Sequence, residues 1–188
     1  MPRDPNQLLV NAMRCLTAAD VLLGSADYGA DRKTFLLPVT LTIGNGLELL
    51  FKYNLVLQGH TLALLRERYD RDVFRLWKQP ENAAIRLMAL GNFAHAVAAL
   101  PDEFIRAHHH RYGKPIAELE HYLMTLARVL QSMKLRAPAE SKDLTCCPWL
   151  LLDTFMPIAS LQTLNPKWLT PDHFRIGGFR EQLKNLDI

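Results

Sequence analysis

The side chains best suited to chemistry cluster in DEFIRAHHHRY, residues 102–112. If this segment is helical, Arg106 and His110 stand one turn apart on one face, with Arg111 and Tyr112 beside them. An arginine steadies a phosphate, and a histidine titrating near neutrality shuttles a proton during phosphodiester cleavage. The same pattern also describes a solvated basic segment. A second group is Lys52 with Arg71 and Arg75, cations of the kind that hold an anionic ligand. Arg68, Arg71, Arg75 and Lys78 follow spacings of three, four and three and are expected to share a face, diluted by Glu67, Asp70 and Asp72. Within LLPVTLTIGNGLELLFKYNLVLQGH, residues 36–60, the polar strip Asn45, Glu48 and Lys52 repeats at i, i+3 and i+7. Glu48 and Lys52 form an i, i+4 pair in the favourable order. That strip reads either as a structural pair on a partly solvated seam or as a polar pocket floor.

Other chemistries find little support. Three consecutive histidines, His108 to His110, point about 100° apart on a helix and cannot converge on one metal. Further ligands would come from His60, His95, Glu118 or His121, none of which forms an H-x-x-x-H or H-E-x-x-H pair. No metal site and no cofactor are expected. There is no G-x-S-x-G, no Gly-rich phosphate loop and no kinase-type catalytic loop. Cys15 falls mid-helix without a histidine partner, so packing is its expected role. No helix-turn-helix with a separate recognition helix is visible, which argues against DNA binding.

The elements that must position these groups read as helices. Asp4 as N-cap and Pro5 at the first turn open a helix whose apolar face is Leu8, Leu9, Ala12, Leu16, Ala19 and Leu23. A polar loop over 27–33 leads to the central helix, with Thr34 as its cap and Pro38 near its first turn. Gly59-His60 is expected to stop it. Short helices follow over 62–68 and from Asp70 or Asp72 to Lys78. A longer one over 82–100 buries Ile85, Met88 or Ala89, Phe93, Ala96, Val97 and Leu100. The last regular helix, opened by Lys114-Pro115, carries Ile116, Leu119, Leu123, Leu126, Leu130 and Met133 in a heptad-like seam to about residue 135. Beyond Arg136 lie five of the eleven prolines and two of the three tryptophans. This extension is too apolar to stay unfolded, and short helices and loops over the bundle or a partner subunit are expected.

With 188 residues, 49% of them hydrophobic and 22% charged, the chain can bury one sizeable core. The expected architecture is all-α: an up-and-down antiparallel bundle of four to five main helices over 1–135, and a partly helical extension over 136–188. A net charge of +3 is too mild to announce a general nucleic-acid binder. The opening MPRDPNQLL shows no secretory pattern, and Asn45, Glu48 and Lys52 interrupt the best membrane-span candidate, so no membrane association is expected. Three cysteines, two of them adjacent (Cys146 and Cys147), suit a reduced, cytoplasmic protein.

The segment GLELLFKYNLVLQGHTLALL resembles the core of HEPN domains, small all-helical domains. That pattern has an apolar helix with an E-x-x-x-K strip, matched by Glu48 and Lys52. A glycine-histidine-aspartate-leucine turn follows, matched by Gly59, His60 and Leu62 with Thr61 in the aspartate position; Leu64-Leu65 take the place of an apolar or aromatic pair. The resemblance spans about residues 8–135. It implies a bundle of four or more antiparallel helices, often a homodimer. HEPN ribonucleases carry an arginine and a histidine with four to six residues between them, and two subunits build one composite site. Here three residues separate Arg106 from His110, and the in-range pairs, Lys114 with His121 and Lys167 with His173, start from lysine. The resemblance therefore implies a protein that binds a nucleotide, RNA or another anionic ligand. Two alternatives stand beside it: a structural or interaction protein, and a metal-independent ribonuclease in which Arg106 and His110 act on RNA.

Overall fold

The computed structural model describes residues 5–112, 116–134 and 147–164. The described residues are all-α, with no strand: α1 (Asn6–Leu23), α2 (Ala26–Ala30), α3 (Arg32–Leu57), α4 (Leu62–Tyr69), α5 (Val73–Trp77), a 3-10 turn (Pro80–Asn82), α6 (Ala83–Ala98), α7 (Asp102–Tyr112), α8 (Leu119–Lys134) and α9 (Pro148–Leu164). The hub is α3, which packs against α1, α5, α8 and α9. It reaches so many neighbours because it is apolar on most sides. Val39, Ile43, Leu47, Leu50, Phe51, Tyr53 and Leu55 are all fully buried.

Size sets how closely two of these neighbours approach. A Cβ at Gly46 would lie 3.0 Å from a Leu16 methyl and 3.3 Å from the Ala12 carbonyl oxygen of α1. At Gly44, one would meet Leu130 of α8 at 2.8 Å. Two residues apart, the glycines look to opposite sides of α3, so α1 and α8 dock on opposite flanks.

Three rings join α3, α5 and α9. Phe51, Trp77 and Phe155 stand with centroids 5.7 to 5.9 Å apart, two of the three pairs edge-on. Phe155 comes from the stretch WLLLDTFMPIASL, for which short helices and loops were expected. It is instead part of one 17-residue helix with Pro157 inside it. The helix survives its proline because burial of Leu150, Leu151, Phe155, Ile158 and Ala159 against α1, α3 and α6 outweighs the lost backbone bond.

Helix ends differ from the sequence expectation in several places. The 27–33 loop contains α2, capped by Ser25, whose hydroxyl oxygen accepts from Tyr28 N at 3.2 Å. The cap of α3 is Asp31, not Thr34; its carboxylate accepts from Thr34 N at 3.2 Å and from the Thr34 hydroxyl at 2.5 Å. Pro38 consequently sits inside the helix rather than in its first turn. The expected stop at Gly59 is present. Gly59 adopts φ +95, its N–H reaches Val56 O, and His60 N reaches Leu55 O, the paired bonds of a left-handed C-terminal cap. Of the expected α6 stripe, Ile85, Ala89 and Phe93 are buried, while Met88, Ala96, Val97 and Leu100 are half-buried. On α8, Leu119, Leu123, Leu126 and Leu130 are buried as the seam requires. Asp4, the Lys114-Pro115 helix start, residues 135–146 and residues 165–188 lie outside the described residues.

Among the described residues one helix, Thr34–Leu57, has the length and apolarity to cross a membrane, and 44% of its window is buried inside the fold. Asn45, Glu48 and Lys52 break the apolar run of this helix, and Glu48 and Lys52 pair along it.

Candidate anion-binding corner

The polar strip of α3 separates into two parts. Asn45 is exposed and stands apart from the pair, whereas Lys52 is 7% exposed and pairs with Glu48. The same carboxylate oxygen, Glu48 Oε1, also accepts the backbone N–H of Arg71 at 3.3 Å. Arg71 lies in the α4–α5 turn at φ +55, a left-handed conformation that costs a side-chain-bearing residue about 1 kcal/mol. The fold holds this turn against α3 with Glu48 as the post. Here the structure joins Lys52 to Arg71, 19 positions away in sequence, an arrangement set by the tight α4–α5 turn.

Arg75 completes the corner. Its Nη1 donates to Arg68 O at 3.2 Å and its guanidinium lies over the Tyr69 ring, 5.4 Å from the centroid. Tyr69 is itself fixed, its hydroxyl donating to Gln79 Oε1 at 2.9 Å. Asp72 is engaged as the cap of α5, accepting from Arg75 N at 2.9 Å. The four expected basic residues do not share one face, because the chain turns between Tyr69 and Val73. Lys78 points instead to α8, donating to Glu120 Oε1 at 2.6 Å beside a 3.3 Å bond from Trp77 Nε1. The Lys78 hydrogen bond, with Trp77 adding to it, holds the Glu120 carboxyl below its ordinary range.

The second expected site forms as a helix but not as a pocket. On α7, Phe104 stacks edge-on against Trp149 of α9 at 5.0 Å and faces His108 at 6.3 Å. Phe104 and His108 thereby take the inner side, which turns Arg106 and His110 outward, both exposed. No hydrogen bond or ion pair among the described residues holds either one. Arg111 and Tyr112 end the helix; their side chains lie outside what is described. Among the described residues no group of three or more His, Cys, Asp or Glu is placed to hold a metal. Burial pushes the Cys15 and Cys147 thiols up, away from the reactive thiolate.

No protein-family model, curated protein or solved structure matches the chain.

A further polar cluster escaped the sequence reading. Asn54, fully buried, donates to Glu81 O at 2.8 Å and Asn82 Oδ1 at 3.0 Å, and Gln58 Nε2 donates to Glu81 O at 2.9 Å. His60 Nε2 lies 3.0 Å from Glu81 Oε1. Asn82, also fully buried, donates to Leu76 O at 2.9 Å. This lattice clamps the 3-10 turn to the end of α3. Burial works to raise the Glu81 carboxyl, but a backbone hydrogen bond and His60 outweigh it and hold the group low. The signal was present in FKYNLVLQGH, where Asn54 and Gln58 repeat at i, i+4 in an otherwise apolar run. The partner, 23 to 28 positions downstream, was not legible.

Proposed function

We propose that this protein binds an anionic, phosphate-bearing ligand of the nucleotide or RNA class at the corner of Lys52, Arg71 and Arg75, without cleaving it. The observation that carries this reading is the convergence of Lys52 and the strained Arg71 backbone on one Glu48 oxygen. Left-handed backbone in a side-chain-bearing residue persists where surrounding contacts impose it, and such residues gather at ligand sites. The turn projects the exposed Arg71 and Arg75 guanidiniums, whose planar forks suit phosphate oxygens. Lys52, nearly enclosed and neutralised by Glu48, sets the floor and adds positive charge when a ligand draws it away from Glu48. The HEPN resemblance, with its E-x-x-x-K strip at Glu48 and Lys52, agrees with a binder in a homodimeric, cytoplasmic protein. Catalysis is the weaker reading because Arg106 and His110 are exposed and no hydrogen bond among the described residues orients the histidine.

The test is calorimetric titration with ATP, inorganic polyphosphate and a short single-stranded RNA. At least one is expected to bind the native chain, more weakly as salt rises, and the Arg71→Glu/Arg75→Glu variant is expected to lose that binding. Silence from all three ligands refutes the proposal. Cleavage of total RNA that vanishes in His110→Ala would move the function to α7 instead.

A further inference from the structure

Among the described residues, helix α6 keeps one apolar side uncovered. Its exposed residues are Ala83, Leu87, Leu90, Gly91, Ala94, His95 and Ala98, with Leu87 56% and Leu90 49% exposed. They lie opposite the side on which the Asn92 amide donates to Thr154 O of α9 at 3.0 Å. Apart from His95 the face carries no ionisable group. Arg86, on its flank, is turned away, with Nη1 donating to Trp77 O and Gln79 O at 2.6 Å each. Nothing lies within 4 Å of a Cβ built on Gly91, so the middle of the face is an open depression.

The order of sizes along this face decides its occupant. Reversing α6 about the point between Leu90 and Gly91 sets Leu90 opposite Gly91, Leu87 opposite Ala94 and Ala83 opposite Ala98. Every leucine then meets a small residue, and the apolar set maps onto itself. An isologous two-fold interface makes this demand: a contact from one residue to another is repeated in reverse across the axis. His95, the one ionisable group on the face, falls opposite the flank position of Arg86, whose guanidinium is held on the Trp77 and Gln79 carbonyls, so the apolar residues meet with no charge between them. We infer that α6 is a self-association surface, on which a second copy of this chain packs its own α6 antiparallel, with the two-fold axis between Leu90 and Gly91.

The area says how strong such a contact is. At 1.5 Å per residue α6 is about 24 Å long, and a strip of that length covers a few hundred square ångströms. That falls short of the ~800 Å² per partner of a standard stable interface. The dimer is therefore reversible and concentration-dependent. Antiparallel pairing also keeps the two α7 helices apart. Each α7 leaves its own α6 at 96°, so the Arg106–His110 pairs stand at opposite ends of the paired helices. A composite site made from both subunits' Arg106 and His110 does not form across this interface.

Sedimentation velocity of the full chain tests the proposal. The mean mass is expected to rise from monomer towards twice that value with concentration. Leu90→Glu is expected to remain monomeric throughout, with the helical content and melting temperature of the native chain. Ala94→Arg provides a second variant with the same expectation. Register is read by mild oxidation, with the native chain as background for its own cysteines. The Leu87→Cys/Ala94→Cys variant is expected to form disulfide-linked dimers, and Leu87→Cys alone is not. A chain that stays monomeric at every concentration, a dimer that survives both charged variants, or crosslinking through Leu87→Cys alone overturns the proposal.

Discussion

Glu81 shows how a single carboxylate ties the fold to pH. Its folded pKa is lowered from the ordinary 4.5, so it contributes stability in full above that value and loses the contribution as pH falls through the folded value. In Glu81→Gln this proton-linked loss is absent. Thermal melts at a series of pH values are therefore expected to show the native chain falling more steeply below pH 4.5 than the variant. Equal slopes would mean that Glu81 carries no linkage. The two groups differ in legibility for a physical reason. Glu48 and Lys52 are four positions apart on one helix, and helical pitch alone brings them together. Glu81 and His60 belong to different elements and meet only because the 3-10 turn folds back on the end of α3.

At the scale of elements, α9 matters most. Phe155 sits fully buried between Phe51 and Trp77, so it anchors α9 to both α3 and α5. Truncation to Phe155→Ala leaves a ring-sized void and is expected to destabilise the fold by about 3–5 kcal/mol, read by urea denaturation. A loss under about 1 kcal/mol would mean that α9 is not integral to the core. The helical pattern of α1 and α8 was legible because each is amphipathic, with one polar side marking the other as buried. Helix α9 is apolar almost all round and contains a proline, so its sequence lacked the period that distinguishes a helix from a buried loop. The chain turn that breaks the Arg68–Lys78 series was hidden for a related reason. Regular spacing of basic residues says nothing about whether the backbone between them stays helical.

At the scale of the whole molecule, the described helices other than α7 share one connected core, in which α3 touches α1, α5, α8 and α9. Trp77 reports on the α3–α5–α9 junction and Trp149 on the contact of α9 with Phe104 of α7. Unfolding is expected to be cooperative, with tryptophan fluorescence and far-UV circular dichroism giving coincident transitions. Two separated transitions would show that α9 unfolds independently of the bundle. Gln162 stands against this economy. It is fully buried, and among the described residues neither its amide nitrogen nor its oxygen has a hydrogen-bond partner.

Composition and helical periodicity by themselves determined the all-α class, the central place of residues 36–60, the stop at Gly59 and the Glu48–Lys52 pair. These are local properties, set within a few turns of chain by pitch, caps and the need to bury an apolar side. Tertiary structure decided which polar groups meet and which face water. It brought Arg71 to Glu48, closed the Asn54–Glu81–Asn82 clamp, and turned Arg106 and His110 outward because Phe104 and His108 took the inner side of α7. Those outcomes depend on the order in which apolar faces compete for one core, and that competition is settled between distant segments.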